Sequence, residues 1–89
     1  MSLFSKLFGG SAKPEAAPEI HKEFRIFPAP MKEAGGHRVA ARIEKDIDGA
    51  VKTHQLIRSD LISDPDDAKA ISIMKAKTLI DEQGDKIFG

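Results

Sequence analysis

The chain contains no cysteine, which excludes disulfides, thiolate metal sites and a cysteine nucleophile, and fits a reducing compartment. It also has no apolar run near the ~20 residues that a membrane-spanning helix requires. The N-terminus lacks the basic start, apolar centre and small-residue cleavage site of a secretory signal, so a cytoplasmic location is expected. Charge of one sign is missing too, with 14 Lys and Arg against 14 Asp and Glu. Residues 1–45 carry eight basic and five acidic side chains, and residues 46–89 carry six and nine. A protein that grips nucleic acid through many phosphates usually shows a larger basic excess. The balance argues against an extensive DNA footprint but allows a local basic face.

What is present fits one small domain. The 89 residues leave no room for a second core. Residues 1–18 read as a flexible leader. Leu3, Phe4, Leu7 and Phe8 fall at helical spacing, and a Gly-, Ala- and Pro-containing linker follows them. So short a helix is unstable alone, and the leader is expected to order only against a partner groove or, through residues 1–9, a membrane surface. Residues 19–89 form the domain, near the size at which one core is barely sufficient. Self-association is therefore expected.

Within the domain, Phe24 and Ile26 alternate with Arg25 and Phe27 as in a strand, which Pro28 and Pro30 then end or confine to an edge. Gly35 and Gly36 mark a turn. Val39, Ala41 and Ile43 alternate with Arg38, Arg42 and Glu44 in the clearest strand of the chain. Asp48-Gly49 suits a tight hairpin turn with positive φ at both positions, and a third strand follows from Ala50. Ser63 or Asp64 can cap a helix that begins at Pro65 and runs to about Gln83, with Gly84 as its C-cap. Ile87 and Phe88 then fold back as an apolar plug. The predicted fold is α+β, a three-stranded antiparallel meander packed against one C-terminal helix.

The hairpin turn fixes which side chains share a face. With Ile47 opposite Ala50, His54 lies across from Ile43, Leu56 from Ala41 and Arg58 from Val39. These residues form the face that the helix must cover. His54 is then a half-buried polar side chain near the helix middle, and Arg58 ties strand to helix through Asp60, Asp66 or Asp67. Catalysis by this cluster would require a nucleophile, an oxyanion hole and a pocket. A one-helix domain has little room for these, so no catalytic residue and no small-molecule substrate are expected. The spacing of His21, His37 and His54 converges on no metal, and no cofactor is expected. The opposite face carries Arg25, Phe27, Arg38, Arg42, Thr53, Gln55 and Ile57. Arg25, Arg38, Arg42, Thr53 and Gln55 are candidate contacts to DNA phosphates and base edges. They equally suit a protein partner or dimer surface in which Phe27 and Ile57 are apolar and the arginines form the rim. Ile71 and Met74 project away from the buried side of the helix and form a second candidate dimer face.

The stretches "FRIFPAPMKEAGGHRVAARIEKDIDGAVKTHQLIRSD" and "DDAKAISIMKAKTLIDEQGDKIF" together resemble the HlyU family of small bacterial proteins over about residues 20–88. The "PAP" turn, the "RIEK" strand and the closing "IDEQGDKIF" carry the likeness, and the "LFSKLFGG" opening is similar as well. The resemblance implies a regulator that activates transcription of haemolysin genes, with no catalytic residues. The function expected is therefore non-enzymatic and regulatory, either through DNA contact by the exposed sheet face or as an interaction or dimerisation adaptor tethered by its leader.

Overall fold

A computed structural model describes residues 17–89; the leader's amphipathic segment lies outside the described residues. Among the described residues five strands precede one helix: β1 (Glu19–His21), β2 (Phe24–Pro28), β3 (Met31–Glu33), β4 (Gly36–Ile47) and β5 (Ala50–Ile62), then α1 (Pro65–Gln83) and a 3-10 turn over Gly84–Phe88. All strand pairs are antiparallel. The domain is α+β with one C-terminal helix, as expected, but the sheet has five strands rather than three.

Two local events produce the additional strands. β5 occupies one edge of β4 along almost its whole length, so β2 and β3 share the other edge end to end. They are one strand interrupted at Ala29-Pro30. Ala29 N still donates to Ala40 O at 2.9 Å, but the return bond from Ala40 N is lost where the chain bends. The helix replaces it: Ala40 N donates to Ser72 Oγ at 3.1 Å, and that hydroxyl donates to Ala68 O at 2.7 Å. Ser72 is fully buried, and this pair of bonds satisfies a hydroxyl whose burial would otherwise be costly. β1 arises from a turn at Lys22-Glu23, with φ of 50° and 73°. Side chains with a Cβ occupy that region at a cost of roughly 1–2 kcal/mol each. Contacts to the helix hold β1 down: Lys77 and Lys22 form ion pairs with Glu19 at 3.0 Å and Asp81 at 2.8 Å, respectively, and His21 Nε2 lies within hydrogen-bond distance of Asp81, at 2.8 Å.

The β4–β5 hairpin forms as its turn dictates, with Asp48 at φ 52° and Gly49 at 81°. Ile43 pairs with His54, Ala41 with Leu56 and Ala40 with Ile57. Beyond that point the register shifts, and Arg38 pairs with Leu61. β5 thus sets residues 58–60 against the single residue Val39 in a bulge, and because the excess is two residues the faces are unchanged. At the far end Gly36, with φ 147°, lies so close to β5 that a Cβ would stand 2.8 Å from Ile62 O. Only glycine fits there.

The helix starts where Asp64 accepts hydrogen bonds from the Asp66 and Asp67 amides, with Pro65 in the first turn. It ends where Gly84 N reaches Ile80 O. Its buried positions are Ala68, Ser72, Ala76 and Ile80, a four-residue spacing of mostly small side chains that lets the helix approach the sheet closely. Ala76 and Ile80 pack on Phe24, Ile26, Ala41, Ile43 and Leu56, and Ile87 closes the end of the core. Phe88 stacks on Phe24 with ring centroids 5.9 Å apart.

Candidate functional site

One helix covers only one side of the sheet. The other side presents even-numbered residues of β4 and odd-numbered residues of β5, because side chains alternate along a strand. The pairings place Arg25 beside Glu44, Phe27 beside Arg42, and Met31 beside Arg38. On the opposite flank of β4, Glu44 faces Thr53, Arg42 faces Gln55, Ala40 faces Ile57 and Arg38 faces Leu61. Arg25, Arg38, Arg42, Thr53 and Gln55 therefore share this outer face. Among the described residues nothing covers it.

Two features of the face become visible only with the register known. The first is apolar exposure. Six large apolar side chains stand out in solvent among the described residues: Ile20, Met31, Val51, Ile57, Leu61 and Met74. All but Met74 lie on the outer face, and Val51 and Ile57 are each 59% exposed. Solvent-exposed apolar groups gathered on one side mark an interaction surface more often than a solvated one.

The second feature is charge neutralisation. Arg38 forks onto Glu33, with Nε and Nη2 at 2.5 and 2.6 Å from the two carboxylate oxygens. Arg42 Nε donates to Glu44 at 2.7 Å, and its guanidinium lies 4.2 Å from the Phe27 ring centroid. Arg25 donates to Asp46 at 3.1 Å with Glu44 at 3.7 Å. Each outward arginine thus stands against a carboxylate on the same face. The hydrogen bond from Arg38 holds the Glu33 carboxyl below its ordinary range, and Glu33 in turn raises Arg38. Asp46 likewise raises Arg25. Arg38 also donates to Arg58 O at 3.2 Å, so it braces β3 and the β5 bulge across β4.

The covered side offers little chemistry. His54 is half-buried opposite Ile43. Arg58 is exposed and forms no ion pair with Asp60, Asp66 or Asp67. It sits in the bulge, where an irregular ladder does not hold its side chain against the first turn of α1. Instead it lines a trough of about 250 Å³ between β5 and α1, with Leu56, Lys75, Thr78, Leu79 and Glu82. The Thr78 hydroxyl in that trough is spent on Met74 O at 3.0 Å. Among the described residues no three His, Cys, Asp or Glu side chains gather as a metal site. No helix there is long and apolar enough to cross a membrane. On α1, Ile71 is half-buried and Met74 is 54% exposed.

Sequence reasoning missed the carboxylate partners of the arginines. Glu44 was within reach of it, since it stands two residues from Arg42 on the same face of a strand. Glu33 was not, because it becomes a neighbour of Arg38 only through the short β3 pairing. Comparison with known proteins gives one result. The family model described as "Transcriptional activator HlyU" matches residues 2–88, which supports a regulatory role. No curated protein and no solved structure matches significantly. The match spans nearly the whole chain, and the protein belongs to the HlyU family.

Proposed function

We propose that the protein is a non-enzymatic, cytoplasmic regulator that acts by holding a protein partner on the outer face of its sheet. The observation that carries this reading is the pairing of every outward arginine with a carboxylate on a face that also gathers the exposed apolar residues. A phosphate-binding face gains affinity by releasing counterions from DNA as free cations replace them. Here Arg25, Arg38 and Arg42 already have Asp46, Glu33 and Glu44, respectively, as counterions, so contact with DNA would bring those carboxylates against phosphates. An apolar surface with charge-paired arginines at its edges is instead the composition of a protein interface.

Direct DNA contact by the same face is the second reading, favoured by the family's description as an activator. Fluorescence anisotropy with duplex DNA across a salt series separates the two. The protein-binding reading predicts weak binding at low salt, with a salt slope that the double change Arg38→Ala and Arg42→Ala leaves unaltered. The DNA reading predicts tight binding whose slope falls by about one to two in the double variant. Arg42→Ala alone is the cleaner half of the comparison, since Arg38→Ala also removes the brace on the bulge.

A further inference from the structure

The sheet has two very different edges. One side ends in β1 and β3, three residues each. The other ends in β5, thirteen residues long, free of proline and glycine, and, among the described residues, paired on one flank only. Long open edges are templates for pairing, and proteins ordinarily shorten or cover them. The register shows which groups β5 leaves open. In a two-residue hairpin the closing pair Ile47 and Ala50 exchange main-chain hydrogen bonds, and bonded pairs alternate from there. Ala50, Lys52, His54 and Leu56 are therefore bonded to β4, while Val51, Thr53, Gln55 and Ile57 turn their N–H and C=O groups to the free edge. The far side of β4 agrees with this: Ala40, opposite Ile57, sends its own N–H and C=O away from β5, to Ser72 and Ala29.

We infer that β5 pairs antiparallel with β5 of a second copy of this chain, joining the two sheets across a two-fold axis. The occupant follows from self-complementarity. A two-fold axis normal to the sheet keeps opposed residues on the same face, which restricts the registers available. The bulge at residues 58–60 limits the regular part to Ala50–Ile57. Within that segment one register matches all four open residues to one another. Val51 lies opposite Ile57 of the second copy, and Thr53 lies opposite its Gln55. Each opposed pair exchanges two main-chain hydrogen bonds, and no open group of the segment is left over. The same register brings Val51 and Ile57, each 59% exposed, into contact twice on the outer face. It sets Lys52 opposite Leu56 of the second copy rather than against another cation, and places His54 on the axis facing its own copy. This contact is separate from the outer-face reading. It leaves that face open and doubles its extent, and its failure would not remove the case for a partner there.

The absence of native cysteine makes the register directly testable. His54 meets its copy at a non-hydrogen-bonded position, where Cα atoms are about 4.5 Å apart, within disulfide range. Under mild oxidation the full-length His54→Cys variant should form a disulfide-linked dimer, while Thr53→Cys, opposed to Gln55 rather than to itself, should form at least tenfold less. By sedimentation the wild-type chain should be a dimer, and Gln55→Pro should weaken it at least tenfold. The lost N–H is one that the monomer does not use, so the far-UV circular dichroism of that variant should match wild type. If Gln55→Pro does not fold, Val51→Lys on the exposed face takes its place in the sedimentation comparison. The inference is overturned by a wild-type chain that stays monomeric at about 1 mM. Equal crosslinking of the two cysteine variants would also overturn it. So would a dimer that survives the edge substitutions but dissociates with Met74→Lys, which would assign the contact to α1.

Discussion

Ile43→Ala should remove about 3–4 kcal/mol of stability, within the range found for deleting a buried Ile side chain down to Cβ. Ile43 lies at the centre of β4, between Ile26 on β2 and His54 on β5, and is fully buried. On the helix side it belongs to the same cluster as Ala76 and Ile80. The cavity would sit where the central strand meets a helix whose contact residues are already small, and alanine at position 76 has no side chain that could move to fill it. A domain of this size has only about 4–10 kcal/mol in total, so the variant should be marginal at 25 °C. Ile43→Val should cost only about 1 kcal/mol. Urea unfolding followed by circular dichroism checks both, with a lowered midpoint for each variant and an unchanged slope for the valine variant. A cost below about 1.5 kcal/mol for the alanine variant would mean that the sheet–helix packing described here is wrong.

Met31→Lys combined with Leu61→Lys should leave stability within about 0.5 kcal/mol of wild type and abolish regulatory activity. Both side chains are exposed, at 38% and 42%, and neither lies in the regular β5 segment inferred to join two copies, so little is lost by their replacement. A partner that buries them would have to desolvate two ammonium groups in an apolar contact, and losses of 2 kcal/mol or more per central residue are usual in such cores. Partner affinity should fall at least a hundredfold, read as loss of activation from a target promoter in cells and checked by equal protein levels. The matched change Lys69→Glu with Glu82→Lys, on exposed helix positions, should leave activation unchanged. Loss of activation in both variants would show that surface charge in general, and not this face, is what matters. An active Met31→Lys, Leu61→Lys protein would remove the face from the account.

The legible part of this fold was the part governed by local backbone chemistry. Asp48-Gly49 announced a turn that requires positive φ, and from that turn alone the register placed Arg38, Arg42, Thr53, Gln55 and Ile57 on one face. Asp64, Pro65 and Gly84 bounded the helix for equally local reasons. β1 was not legible, because its turn is made by Lys22 and Glu23, residues that resist the conformation they adopt and are kept there by Asp81 and by pairing with β2. The Lys22 and His21 contacts hold the Asp81 carboxyl below its ordinary range, so whatever they add is complete above that range and is lost only as pH falls below it. Ser72 carries no signal in the sequence, because a hydroxyl within a helix is usually exposed and its role depends on a gap that opens at Pro30 in another strand. The β5 bulge left no trace because it adds an even number of residues, preserving the faces while displacing Arg58 from the contact expected of it.

The outer-face residues were correctly gathered by sequence, yet their chemistry was not, since a row of arginines reads as basic until the carboxylates beside them are placed. Surface labelling tests that claim most directly. Met31→Cys puts a thiol on the outer face and Asp66→Cys puts one on the exposed first turn of α1, each in a chain with no other cysteine. Both thiols should react rapidly with a maleimide in the purified protein. In native cells the Met31→Cys thiol should be protected relative to the Asp66→Cys thiol, and the protection should survive nuclease treatment of the extract. Equal labelling of the two thiols in cells, or protection that disappears with the nucleic acid, would contradict a protein partner on this face.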